Sequence, residues 1–212
     1  MSEKKSGIKT FIWAIIMSAP SPLVVGLGLI VGRSSSQIAD FVRKSAELLA
    51  IVISFVVFLM TQKNGVCDED RKQKLERRAN VFVGFMMSFA GIIMFALAFL
   101  ISSRDKGNVI PALAIIVSGG TINLIFWIRY TRLYKVQKNA IFAVQKKLYR
   151  AKTLVDMSVI IALVSVLIAP TSNVTHWIDF GGSIIVSIYL TWSGIRTVYK
   201  EIKALKQLKN EK

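Results

Sequence analysis

Four ionisable side chains, Asp40, Arg43, Lys44 and Glu47, stand within eight residues at the head of a segment that continues as LLAIVISFVVFLM. On a helix, positions 40 and 44 and positions 43 and 47 are one turn apart, so each acid can pair with a base. The patch is neutral as a whole. Glu47 falls about ten residues into the apolar segment, or ~15 Å deep at ~1.5 Å per residue, close to a bilayer midplane. An unpaired carboxylate there costs several kcal/mol, so it must be neutralised, be protonated or face a wet cavity. The residue types leave two readings open: a self-paired patch that sets packing register, and a polar site on a transport path. Few other polar groups lie at depth. Asp156 is one turn from Lys152 and can pair with it locally. Asp179 precedes Phe180-Gly181-Gly182-Ser183; a helix dipole favours a carboxylate in the first turn, and the glycines permit close helix approach. Gly119, Gly120 and Asn123 read as a packing surface.

Other chemistries have little to work with. His176 is the one histidine and Cys67 the one cysteine, so neither a poly-histidine metal site nor a disulfide or thiolate framework can be built. No nucleophile–base pair or phosphate-cradling glycine loop is present. The expectation is a protein that is not an enzyme and needs no cofactor.

The elements that must position these groups are membrane spans. The chain has 212 residues, 53% of them apolar, yet a formal charge of +16. Its apolar residues come in runs of about 20, the length that crosses a hydrocarbon core of ~30 Å, and not in the alternation of a membrane β-barrel. The fold class is therefore all-α: a polytopic membrane protein of six transmembrane helices, one domain over 1–212. The spans fall at about 10–31, 37–61, 79–102, 109–129, 143–169 and 177–199. The first is too long for a signal h-region; Pro20 and Pro22 predict a kink in it. The fifth recruits an amphipathic stretch ahead of its short apolar part.

Basic residues choose the orientation. Lys4, Lys5 and Lys9, six Lys/Arg in 62–78, eight in 129–152 and six in 196–212 make 23 of the 28 on one side. The opposite loops hold Arg33, Arg104 and Lys106. Both termini are thus expected in the cytoplasm, at an inner membrane if the host is bacterial. A charge spread over every cytoplasmic loop fits contact with anionic headgroups and not nucleic-acid binding. The 200–212 tail, with Lys200, Lys203, Lys206 and Lys209 on one face, reads either as a basic amphipathic helix on the inner leaflet or as a continuation of the sixth span.

The stretch "GRSSSQIADFVRKSAELL" resembles the second-helix signature of the cation diffusion facilitator (cation efflux) transporters, typically GSLALLADALHSLSDVL. "RKQKLERRANVFVGFMMSFAGIIM" is similar to the family's loop and third helix, "KKLYRAKTLVDMSVIIALV" to its fifth, and "WIDFGGSIIVSIYLTWSGIRTVY" to its sixth. The resemblance implies a six-helix transporter that is often a homodimer, so a second copy or another membrane subunit is an expected partner. It also implies a divalent ion held by four ligands, two on the second helix and two on the fifth. Carried onto this chain, those positions are Arg43, Glu47, Leu148 and Lys152. Only Glu47 can ligate a metal as it stands: Arg keeps its proton, Leu has no donor, and Lys binds only when deprotonated. A one-residue shift on the fifth helix offers Tyr149 and Thr153, which are little better.

The expectation that follows is an ion-pair cluster of Glu47, Arg43 and Lys152 in place of a metal site. The functions implied are a secondary cation transporter with an altered centre, using Asp40, Glu47, Asp156 and Asp179 as cation or proton groups, or a non-transporting subunit or scaffold.

Overall fold

The computed structural model describes residues 2–31, 35–62, 69–100, 109–168 and 173–210. Among these there are helices and no strands: α1 Ser2–Ser18, α2 Pro20–Val31, α3 Ser35–Thr61, α4 Glu69–Leu100, α5 Val109–Gln137, α6 Ala140–Ile168 and α7 Asn173–Asn210. The protein is an all-α, multi-pass membrane protein. Cys67 and the loop cations Arg33, Arg104 and Lys106 lie outside the described residues, as do the side chains of His176, Asp40 and Asp179.

The expected kink in the first span is a full break. Proline has no N–H, and its ring collides with the carbonyl one turn back. The Ala19 N–H still reaches Ile15 O at 2.8 Å, and a new helix starts with Pro20 in its first position, where proline's missing donor costs nothing. The α5–α6 corner is equally determined by local chemistry. Lys138 takes a left-handed φ of 48° and its N–H closes α5 on Tyr134 O at 2.9 Å. Asn139 then caps α6 by accepting from Ile141 N at 2.8 Å. Its amide donates to Glu76 Oε1 at 2.9 Å, which ties the corner to α4. The cap explains why α6 begins at Ala140, three residues before the expected fifth span.

Five helical stretches among the described residues are long and apolar enough to cross a membrane: Lys5–Leu27 (α1 with α2), Phe41–Thr61, Asp70–Phe99, Leu113–Gln137 and Ala140–Ile168. The expected sixth, 177–199, lies in α7 and includes Asp179, whose side chain lies outside the described residues. It carries several small and polar residues (Gly182, Ser187, Thr191, Ser193 and Gly194), and the packing shows their use. Helices α4 and α7 run antiparallel in near backbone contact. A Cβ on Gly91 would lie 2.7 Å from Thr191 N and 2.9 Å from Ser187 O. A Cβ on Gly194 would lie 2.6 Å from both Gly84 O and Ser88 N. In lipid, where apolar area gives helices little reason to associate, such close small-residue seams supply the van der Waals contact that does.

Glycines singled out from sequence divide in two. Gly119 and Gly181 face open space, whereas Gly120 lets α5 approach Asp156 of α6 and Gly182 lets α7 approach Ser158. At ~1.5 Å per residue the 38 residues of α7 span about 57 Å, well beyond a hydrocarbon core of ~30 Å. The helix continues unbroken past Lys200, held on α4 by Arg77 Nη1 to Glu201 Oε2 at 3.2 Å.

The most buried apolar side chains gather in the half of the bundle nearer the basic loops, as a cluster of rings. Phe11, Phe55, Phe58, Phe126, Tyr130, Phe142 and Tyr149 come from α1, α3, α5 and α6, with neighbouring centroids 5.1–6.5 Å apart. Large apolar side chains such as Ile115, Ile125, Ile168 and Ile185 point outward, as lipid-facing positions do.

Overpacking the seam is expected to cost ~1–3 kcal/mol. Gly194→Val or Gly91→Leu should lower the unfolding temperature of the protein in detergent micelles, and Gly119→Ala should leave it unchanged.

Candidate functional site: a carboxylate held by two fixed cations

Helices α3 and α6 run antiparallel and meet through two polar contacts. The inner one is the ion cluster. Glu47 Oε1 lies 3.5 Å from Arg43 Nη1, one turn back on the same helix. Glu47 Oε2 lies 3.4 Å from Lys152 Nζ, which crosses from α6. The three side chains are only 10%, 15% and 14% exposed, in the order Glu47, Arg43, Lys152. Each carboxylate oxygen thus has its own cation. Lys152, although counted among the basic residues of 129–152, turns inward. Its ammonium also stands 5.3 Å from the ring centroid of Tyr149, a cation–π contact that helps to hold it in place. Arg43 is steadied by contact with Met94 Sδ of α4 at 3.9 Å.

The second contact lies seven residues along each helix, toward the basic end: Gln145 Nε2 donates to Ser54 Oγ at 2.8 Å. Ser54 stands seven residues after Glu47, and Gln145 seven before Lys152. Two helical turns therefore separate two polar rungs, ~10 Å apart. Between them Ala50, Ile51, Leu148 and Tyr149 are 2% exposed or less. The helix break at Ala19 gives Ser18 a place in this region, its hydroxyl 3.4 Å from the Tyr149 hydroxyl.

Asp156 lies one turn beyond Lys152, but Lys152 turns to Glu47, so the expected local pairing is not the contact that forms. Asp156 Oδ2 instead accepts from Asn123 Nδ2 of α5 at 2.7 Å. Asn123, read from sequence as packing surface, is thus the donor that satisfies a buried carboxylate. Asp156 still lies near enough to Lys152, Glu47 and Arg43 to feel their charges. The centre thus gathers two basic and two acidic side chains. Lys44 is half-buried on α3. Asp40 and Asp179 sit on α3 and α7, and their side chains lie outside the described residues.

Of the seven charged residues picked out by sequence, the structure brings together Arg43, Glu47, Lys152 and Asp156. It adds Ser54 and Gln145, which the sequence did not single out, Asn123, which read as packing surface, and Tyr149, which entered only as a poor alternative ligand. The signal for the second rung was present: polar residues at 47 and 54 and at 145 and 152, spaced by two turns on two apolar helices. A tetrahedral divalent ion wants three or four N, O or S donors. Leu148 is buried and apolar, both oxygens of Glu47 face cations, and among the described residues no three His, Cys, Asp or Glu side chains converge.

Removing one member of a buried ion cluster leaves uncompensated charge, at a cost of ~3–5 kcal/mol when the pairing is complete. Glu47→Gln strands two cations, whereas Lys152→Met leaves the Arg43–Glu47 pair intact. Chemical unfolding in micelles should therefore show Glu47→Gln as clearly the more damaging. The double variant should be more stable than the sum of the two single losses implies.

The transmembrane-domain profile of the cation efflux family matches residues 10–205, nearly the whole chain. No curated protein matches the chain at a significant level. The two antiparallel helices whose facing positions form the centre, α3 and α6, both fall inside the matched region. The chain belongs to the cation efflux family, as a transmembrane domain of that multi-pass type.

Proposed function

We propose that this protein is a secondary cation transporter whose centre has been rewritten, so that a fixed protein charge stands where the family pattern has a divalent ion. One observation carries the reading: the Lys152 ammonium, brought in by α6, sits 3.4 Å from the Glu47 carboxylate of α3. An ammonium there supplies the positive charge that an ion would supply, and joins the same two helices. It cannot leave, so the transported species differs from a zinc-like ion held by four ligands. Glu47 and Asp156, with Asp40 and Asp179 on the same bundle, are the groups that would take up a monovalent cation or a proton. Rocking of the α3 and α6 layers against their neighbours would expose them alternately. Both termini lie in the cytoplasm on this reading, which follows the distribution of Lys and Arg.

A second reading has its own support. The layer just beneath the ion cluster is closely packed, with Ala50, Ile51 and Tyr149 fully buried. That suits a non-transporting member which serves another membrane protein through its helices.

Flux into proteoliposomes with a panel of monovalent and divalent cations separates the two. Transport requires flux that disappears in Glu47→Gln. Absence of flux for every ion, with a second membrane protein co-purifying, supports the scaffold. In either case zinc titration of the purified protein should show no tight site dependent on Glu47. Tight, Glu47-dependent zinc binding would overturn the altered-centre reading itself.

A further inference from the structure

At the basic end of the bundle, α6 and α7 enclose a second charged constellation that lies outside the ion cluster. Lys147 of α6 donates to Thr197 Oγ1 of α7 at 3.2 Å. Thr197 is 1% exposed and is itself anchored to Ser193 O at 2.8 Å. The half-buried Lys147 ammonium is thereby fixed in the groove between the two helices. It lies close enough to Lys200, Arg196 and Glu201 to feel their charges. Glu201, the carboxylate in this set, is engaged by Arg77 of α4. One turn further along α6, the Arg150 guanidinium lies 5.7 Å from the ring centroid of Tyr189 of α7. The groove therefore collects four cations against one carboxylate that already has a partner.

The arrangement on α7 shows what such a groove would face. Positions 189, 196 and 200 are seven and four residues apart and form one strip along the helix. That strip borders the α6-facing Thr197 on one side. On the other it borders a row of outward apolar residues: Ile185, Ile188, Trp192, Ile195 and Tyr199, each more than half exposed. Cations anchored in a helix groove, an adjoining lipid-facing apolar row, and Trp and Tyr at its edge match the two halves of a phospholipid. Basic pockets between transmembrane helices on the cytoplasmic side take anionic headgroups, and aromatic side chains favour that depth.

We infer that Lys147, Arg196 and Lys200 form a site for the phosphate of an anionic phospholipid whose acyl chains lie along Ile185, Ile188 and Trp192. Arg150 flanks it on the membrane side. Because α7 is also one wall of the close α4–α7 seam, an occupied site would clamp α6 to that seam. The inference does not depend on whether the centre transports an ion.

The full-length protein in micelles can be titrated with phosphatidylglycerol, with phosphatidylcholine and with inorganic phosphate while its unfolding temperature and, by native mass spectrometry, retained lipid are followed. Phosphatidylglycerol should stabilise the protein and be retained, and the other two should do neither. Arg196→Gln with Lys200→Gln, both exposed positions, should weaken apparent lipid affinity about 25-fold, taking about fivefold per cation near the headgroup plane. Lys135→Gln with Lys206→Gln, cations elsewhere on the basic end, should weaken it far less. Equal stabilisation by phosphatidylcholine overturns the proposal, and so does equal stabilisation by free phosphate. An Arg196/Lys200 variant that binds phosphatidylglycerol as the wild type does also overturns it. If that variant folds poorly, the wild-type comparison of the three additives still decides.

Discussion

The organisation of this protein depends on one carboxylate that cannot be left alone. Glu47 lies deep in an apolar helix, where an isolated negative charge is expensive, and the structure answers by giving each of its oxygens a cation. Arg43 is available on the same helix by the one-turn rule. Lys152 must come from another helix, and this requirement sets the register of α3 against α6. Once that register is set, Ser54 meets Gln145 two turns away. The buried residues between the rungs then close over the gap.

Such a cluster does not add much to stability by itself. The attraction of buried charges offsets a desolvation cost of similar size, so a buried ion pair specifies arrangement more than it strengthens the fold. The cohesion of the bundle comes from elsewhere. Backbone contact along the α4–α7 seam, the ring cluster of α1, α3, α5 and α6, and the capped corner at Lys138 and Asn139 do that work. The division is useful to a transporter or a scaffold alike. The charged centre decides which residues face one another, and the apolar and small-residue contacts hold the helices there.

A site that binds a mobile ion needs donors whose charge is incomplete without it. Here protein groups already occupy the centre: Arg43 and Lys152 stand beside Glu47, and Asn123 donates to Asp156.

Much of this was legible in the residues themselves. The all-α membrane class followed from the lengths of the apolar runs, and a kink near Pro20, which the structure carries to a break, from a missing N–H. The Arg43–Glu47 pair followed from one-turn spacing. The role of Lys152 came from the resemblance, which set it at a position facing Glu47. Other features depended on which helix lies beside which. Asp156 was assigned to Lys152 by spacing, but spacing within a helix cannot anticipate Asn123 approaching from α5 across the gap left by Gly120. Gly91 and Gly194 acquired their meaning only when α4 and α7 were seen in contact, since a glycine in lipid and a glycine in a seam read alike in sequence. Residue types and intervals determined what each helix could offer. The tertiary structure decided which offers were taken up, because a buried charge or donor is satisfied by whichever partner packing brings within reach.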